Sequence, residues 1–195
     1  KTKLIDFRVF ARENPLLSIL EPSLYEEDGR YFPAKGPVVG YAEVKDTARI
    51  NDYLDMPQIK SIFPSTVKFL WTAKPFDTEE KFVMLIAIRV TNADGAPPMD
   101  GGAIKDARQG FGFDNSPSIN ITMDDHGAHL WKRLTTENVG RSIAIVLDDK
   151  VYSFPTVQSA IINGRTEITG GFTIEEAQEL ARKLTEHVYS LASEK

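Results

Sequence analysis

The residues best suited to metal or acid–base chemistry are Asp124, Asp125, His126 and His129. An i, i+3 spacing sets the two imidazoles on one edge of a helix, where a pair can hold zinc or relay a proton. The same residues also read as a helix start, with Asp125 as the cap, Asp124 beside the positive end of the dipole and His126 solvated in the first turn. That reading is the stronger, and no metal ligand is assigned. Gly170-Gly171 ahead of a helix would gather free backbone N–H groups around a phosphate. The next residues, however, are Phe172-Thr173-Ile174-Glu175-Glu176, with two carboxylates and neither Lys nor Arg, so the glycines are read as a strand-to-helix turn. The Gly-x-Ser-x-Gly pattern of a nucleophile elbow does not occur. No catalytic residue and no cofactor is assigned, and the chain is read as not an enzyme. In Gln109-Gly110-Phe111-Gly112-Phe113-Asp114-Asn115, aromatics alternate with glycines in a loop. Phe111 and Phe113 are read first as plugs into the core and second as adaptable contacts for a polypeptide.

Whatever these residues do, the chain has ample material to position them. Its 195 residues are 42% hydrophobic and 26% charged, enough for one generous domain or two small lobes. A net charge of −5 with 23 scattered Lys and Arg does not build the basic patch that nucleic acid requires. There is no cysteine, so disulfides and thiolate chemistry are excluded. The apolar run Val83 to Ile88, even with Phe82 before it, is far below the roughly 20 residues that cross a bilayer. Because the sequence begins at Lys1 and runs straight into Leu4-Ile5-Asp6-Phe7-Arg8-Val9-Phe10, it reads as a piece of something longer, whose membrane anchor would lie elsewhere.

Along the chain, a short opening strand is broken at Asn14-Pro15, and Glu26 to Gly36 reads as a polar loop. A strand over Val38 to Val44 leads to Asp46, placed to cap a helix with Ile50, Tyr53 and Leu54 on one face. Pro57 starts a second helix, striped by Ile59, Ile62 and Phe63 until Pro64. Val67 to Ala73 and Phe82 to Val90 read as a hairpin across Asp77 to Lys81. Turn residues from Asn92 to Gly102 mark the clearest internal boundary. Beyond it come a half-buried strand over Ser118 to Met123 and a helix bearing Ala128, Trp131 and Leu134 that stops at Asn138 and Gly140. A buried strand over Ile143 to Leu147 then turns at Asp148-Asp149-Lys150 into Val151 to Phe154. Thr173 and Glu176 form a capping box for a last helix carrying Ile174, Ala177, Leu180, Ala181, Leu184, Val188 and Leu191. The class expected is α+β, with mainly antiparallel sheets and flanking helices.

Thr135-Thr136-Glu137-Asn138-Val139-Gly140-Arg141-Ser142-Ile143-Ala144-Ile145-Val146-Leu147-Asp148-Asp149-Lys150-Val151-Tyr152-Ser153-Phe154-Pro155 closely resembles SecD and fused SecDF protein-export subunits. There a T-x-E-N-x-G-K/R leads into an A-I-V-L-D hairpin ending near S-A-P. The resemblance continues through Ile161, Gly164, Ile168 to Thr173 and Glu176-Ala177 to Leu180-Ala181. Val38 to Val44 and Leu70-Trp71 look like the fused proteins of Bacteroidetes-type bacteria. Two departures stand out. Phe154 replaces a small residue before proline, and after Ala181 an amphipathic helix continues where the family runs through G-x-x-P-A-P into a membrane helix.

The resemblance implies the first large periplasmic domain of a Sec translocon accessory subunit, a mobile head inserted into a ferredoxin-like base. On that pattern 1–35 leads into the head, 36–142 is the head, and 143–195 is the second half of the base with its long terminal helix. The implied function is capture of translocating preproteins and support of proton-motive-force-driven export at the periplasmic face of the bacterial inner membrane. The implied partners are unfolded preprotein, the SecYEG channel and the SecF portion, with no nucleic acid, and with membrane contact only through helices outside this chain. Phe111 and Phe113 become the candidate polypeptide-binding residues. The alternative from another class is a non-catalytic periplasmic binding or scaffold module with a SecD-like fold.

Overall fold

In this computed structural model the described residues are 16, 19–90, 92 and 95–192. The strand expected over Leu4 to Phe10, and its break at Asn14-Pro15, lie outside them. The chain divides into two compact units, one formed by 1–90 with 146–152, the other by 91–145 with 153–195. It therefore crosses between units near the turn-rich stretch after Val90 and returns briefly for one hairpin. These units cut the sequence at other places than the segments 1–35, 36–142 and 143–195.

The first unit is built on a six-stranded sheet. Its strands are β1 (Glu21–Pro22), β4 (Val38–Glu43), β5 (Val67–Thr72), β6 (Phe82–Arg89), β9 (Ile145–Leu147) and β10 (Lys150–Ser153), in the order β1-β4-β6-β5-β10-β9. The β5–β6 pair is the antiparallel hairpin expected from its apolar runs, and β10 joins β5 in parallel, Lys150 opposite Trp71. Two helices, α1 (Thr47–Asp55) and α2 (Pro57–Lys60), follow β4 after a short 3-10 turn. Ile50 of α1 is fully buried with Leu20, Ala42, Trp71, Val83 and Leu85, and Trp71 Nε1 donates to Asn51 Oδ1 at 2.8 Å. Burying an indole costs little when its one donor is paired in this way.

Four local elements differ from what the sequence pattern predicts. Asp46 stands at the helix start without a side-chain bond to it, and the local bond is instead Thr47 Oγ1 to Val44 O at 2.8 Å. The helix beginning at Pro57 stops at Lys60, so Ile62 and Phe63 fall beyond it and are exposed rather than core. The polar stretch after Glu26 is largely a hairpin, β2 (Leu24–Glu27) with β3 (Arg30–Pro33), turning at Asp28 and Gly29, both at positive φ. That is the two-residue turn whose twist suits antiparallel strands. Finally, the strand placed at Ile143 to Leu147 is shorter and lies at the sheet edge, with Val146 exposed. Its apolar run has the length of a buried strand, but an edge position leaves one side in water.

The β5–β6 connection is held by one carboxylate. Asp77 accepts the N–H of Phe82 at 2.7 Å, of Lys81 at 2.9 Å and of Glu79 at 3.2 Å. These bonds, that from Phe82 foremost, hold its pKa below the ordinary 3.8 against a smaller opposing effect of desolvation. A carboxyl whose folded pKa is depressed adds stability that is complete above its unfolded pKa and fades as pH falls through the folded value. Asp77→Ala is accordingly expected to lower the urea midpoint at pH 7, with the difference from the unmodified chain shrinking below pH 4. Equal differences at pH 7 and pH 3 would contradict that role.

The second unit pairs a three-stranded antiparallel sheet with two helices. The strands are β7 (Ile104–Phe111), β8 (Pro117–Met123) and β11 (Arg165–Thr169), in the order β11-β8-β7, and the helices are α3 (Asp125–Glu137) and α4 (Ile174–Ala192). Alternation along β8 turns Ile119, Ile121 and Met123 to one face, and all three are buried. α4 packs on β7 and β8, burying Ala177, Leu180, Ala181 and Leu184. The side chains of Val188 and Leu191 lie outside the described residues. The capping box forms as expected, Thr173 Oγ1 accepting from Glu176 N–H at 3.2 Å and Glu176 Oε2 from Thr173 N–H at 2.7 Å. The chain is thus α+β with mainly antiparallel sheets and flanking helices. Among the described residues no helix is long and apolar enough to cross a membrane.

Candidate functional site

The acid and histidine cluster resolves into a helix start. The cap of α3 is Asp124 rather than Asp125, its Oδ1 accepting from Gly127 N–H at 2.7 Å. Asp125 occupies the first turn, and His126 and His129 are exposed along the helix. Among the described residues no group of three His, Asp or Glu is placed to hold a metal ion. At the other helix start, Gly171 takes φ 63° in the turn before Thr173. There the N–H groups of Thr173 and Glu176 are bound by the chain's own capping box. A helix start so occupied offers an anion little that its own carboxylate does not already use.

What the second unit displays instead is the end of the β7–β8 hairpin. Strand β7 is not legible in the sequence, and the stretch read as a loop from Gln109 is strand as far as Phe111. A five-residue turn succeeds it. Gly112 N–H donates to Ser116 O at 2.8 Å and Asn115 N–H to Gly112 O at 2.9 Å, with Asn115 at φ 62°. Asp114 Oδ1 accepts the Ser116 hydroxyl at 2.6 Å and the Ser116 N–H at 3.1 Å. These bonds, the hydroxyl's first, hold the Asp114 carboxyl below its ordinary pKa. The turn is therefore a defined structure at neutral pH and not a slack loop.

This turn presents both candidate aromatics to solvent. Phe111 is 54% exposed and Phe113 fully exposed, which overturns their reading as core plugs. A phenyl ring held in water by a hydrogen-bonded turn forgoes roughly 1.5–3 kcal/mol of burial, available to any partner that covers it. Along β7, Asp106 and Arg108 share the sheet's other face, with Arg108 Nε 2.8 Å from Asp106 Oδ2. Asn120 of β8 and Arg165 and Glu167 of β11 are exposed on the same polar face.

The model of the family described as SecDF, P1 head subdomain, matches residues 86–187, which include β7, β8, the turn between them, α3, β11 and most of α4. Among curated proteins, the chain is 37% identical over 174 residues to the protein translocase subunit SecD of Rhodothermus marinus, covering 88% of this chain and 26% of that protein. It is 45% identical over 67 residues to SecD of Calditerrivibrio nitroreducens, covering 34% of this chain and 13% of that one. It is 37% identical over 87 residues to the SecDF of Thermus thermophilus, covering 45% of this chain and 12% of that one. The chain thus spans about a quarter, or less, of the length of these relatives. Among solved structures, one described as a membrane component SecDF that enhances protein export aligns with TM-score 0.43 and 22% identity over 94% of this chain and 88% of that chain. A SecDF in a super-membrane-facing form aligns with TM-score 0.44 and 23% identity over 90% of this chain and 24% of that chain. The sequence match over 86–187 carries the assignment: this chain belongs to the SecDF P1 head subdomain family.

Proposed function

We propose that this chain is an extracytoplasmic part of a Sec translocase accessory subunit and that it captures preproteins as they emerge. Its second unit would act as the head, and its first unit would contribute the base. In this proposal the head expected at 36–142 is redrawn to 91–145 with 153–195, because the family match falls mostly there. The observation that carries the reading is the coincidence of that match with two phenyl rings displayed on an ordered turn. Capture of unfolded chain needs no nucleophile, metal or perturbed acid; it needs apolar side chains and main-chain groups that tolerate many sequences. Energy for release would come from proton flow through the membrane portion of the full-length protein, working with the SecYEG channel and SecF. The relatives named above are translocase subunits, and the working site would be the periplasmic face of the inner membrane.

In the full-length protein, Phe111→Ser combined with Phe113→Ser is expected to slow export of a secreted reporter about three- to tenfold in a pulse-chase assay, by removing two anchors worth ~1 kcal/mol together. The same protein should accumulate normally, since both rings are exposed and contribute little to folding. Unchanged export at equal protein level would remove the two aromatics from the proposal.

A further inference from the structure

Strand β11 is the last on its side of the three-stranded sheet. Met123 N–H donates to Gly164 O at 2.8 Å. In an antiparallel ladder hydrogen-bonded pairs recur every second residue, so Thr166 with Ile121 and Ile168 with Ile119 are the bonded pairs of β11 and β8. Arg165, Glu167 and Thr169 therefore turn their main-chain groups away from β8. Two of those groups are satisfied locally, Arg165 N–H by Asn163 Oδ1 at 3.2 Å and Thr169 C=O by the Ser153 hydroxyl at 3.1 Å. The remaining ones, Arg165 C=O, both groups of Glu167 and Thr169 N–H, have no partner among the described residues. They form one continuous row on an exposed strand. The opposite edge differs, because Thr185 of α4 reaches the outward carbonyl of Ala107 on β7.

We infer that the outer edge of β11 takes up an extended segment of non-native polypeptide as an added strand. This inference rests on the proposed function and names the main-chain part of its binding site. Main-chain groups recognise any polypeptide, as a carrier of many different chains requires. A five-residue strand matches a guest segment of about 17 Å. Exposed apolar residues lie near both ends of the strand: Ile162 precedes β11 by three residues, and Gly112, next to Phe113, comes close enough to Glu167 that a Cβ placed on it would lie 3.7 Å from Glu167 Oε1. A second copy of this chain is the competing occupant: the register centred on Glu167 sets like charges opposite each other, which is destabilising, whereas the register centred on Thr166 sets Glu167 opposite Arg165. Pairing of copies would protect these amides without probe as concentration rises, which would overturn the inference.

The test is amide exchange on the 195-residue chain, with and without excess reduced and carboxamidomethylated α-lactalbumin as a permanently unfolded probe. The expected result is that the Glu167 and Thr169 amides exchange at least about tenfold more slowly with probe while the Gln109 amide is unchanged. Glu167→Pro removes an outward N–H without breaking the ladder to β8 and should weaken probe binding about tenfold. If that variant unfolds, exchange in the unmodified chain decides alone. Probe binding that protects other amides and leaves Glu167 and Thr169 unchanged overturns the edge while sparing the proposed capture function. No probe binding overturns both. Protection already present without probe and lost on deleting residues 1–15 also overturns the inference, by showing that the edge is filled by the chain's own segment.

Discussion

Ile119→Ala is expected to destabilise the second unit by about 2–5 kcal/mol, the cost of deleting most of a fully buried aliphatic side chain from a site that does not collapse. Ile119 is 0% exposed at the middle of the central strand β8, opposite Gln109 on β7 and Ile168 on β11. Ile168, Leu180 and Ala177 are also buried to 2% or less, so little around the lost side chain can yield. Urea unfolding read by far-ultraviolet dichroism would show a lowered midpoint with little change in slope. Because this strand carries the turn with Phe111 and Phe113, the same substitution should also reduce probe binding above the new midpoint. A cost below about 1 kcal/mol would mean that Ile119 is not at the centre of a packed core.

The second large effect is expected at Gly164, for two separable reasons. Its φ of 63° lies in the left-handed region, where a side chain costs about 1–2 kcal/mol. A Cβ there would also stand 2.6 Å from the Ala128 Cβ of α3, and overpacking of that kind costs about 1–3 kcal/mol. Gly164→Ala should thus destabilise by about 2–5 kcal/mol in urea unfolding. Ala128→Gly in the same chain relieves the contact but not the backbone strain. The double variant should therefore be more stable than the sum of the two single changes predicts. Strict additivity would place the whole cost in the backbone and deny the contact between the β11 approach and α3.

How much of the fold is legible in the sequence depends on how local each signal is. The capping box of Thr173 and Glu176 joins groups three residues apart, and it is legible together with the helix it starts. The β5–β6 hairpin announces itself through two aromatic and β-branched runs. Strand β7 does not: Ile104-Lys105-Asp106-Ala107-Arg108-Gln109-Gly110-Phe111 is poor in β-formers, and it is a strand because β8 pairs along its length and α4 covers one face. The Asp28-Gly29 turn is a genuine signal, masked by the acidic residues around it. Asp124 and Asp125 can both cap a helix, and only geometry separates them.

The candidate site shows the same division. The family can be read from Thr135 to Ala181, since a string of specific residues is a local pattern, and the match over 86–187 agrees with it. The exposure of Phe111 and Phe113 cannot. An aromatic beside glycine enters the core or leaves it according to where the turn points, and here Gly112, Asp114 and Ser116 close a turn that holds Phe113 outward. The open edge of β11 depends on strand order, which no stretch of five residues contains.

Capture at the hairpin turn is tested by a photoreactive benzoylphenylalanine in place of Phe113 in the full-length protein, with the same group in place of His129, exposed on α3, as a control. Both would be irradiated during arrested translocation of a secreted chain. Capture at the turn predicts an adduct with the translocating chain from position 113 and little or none from position 129. No adduct from either position, or equal adducts from both, would contradict capture of preprotein at the hairpin turn.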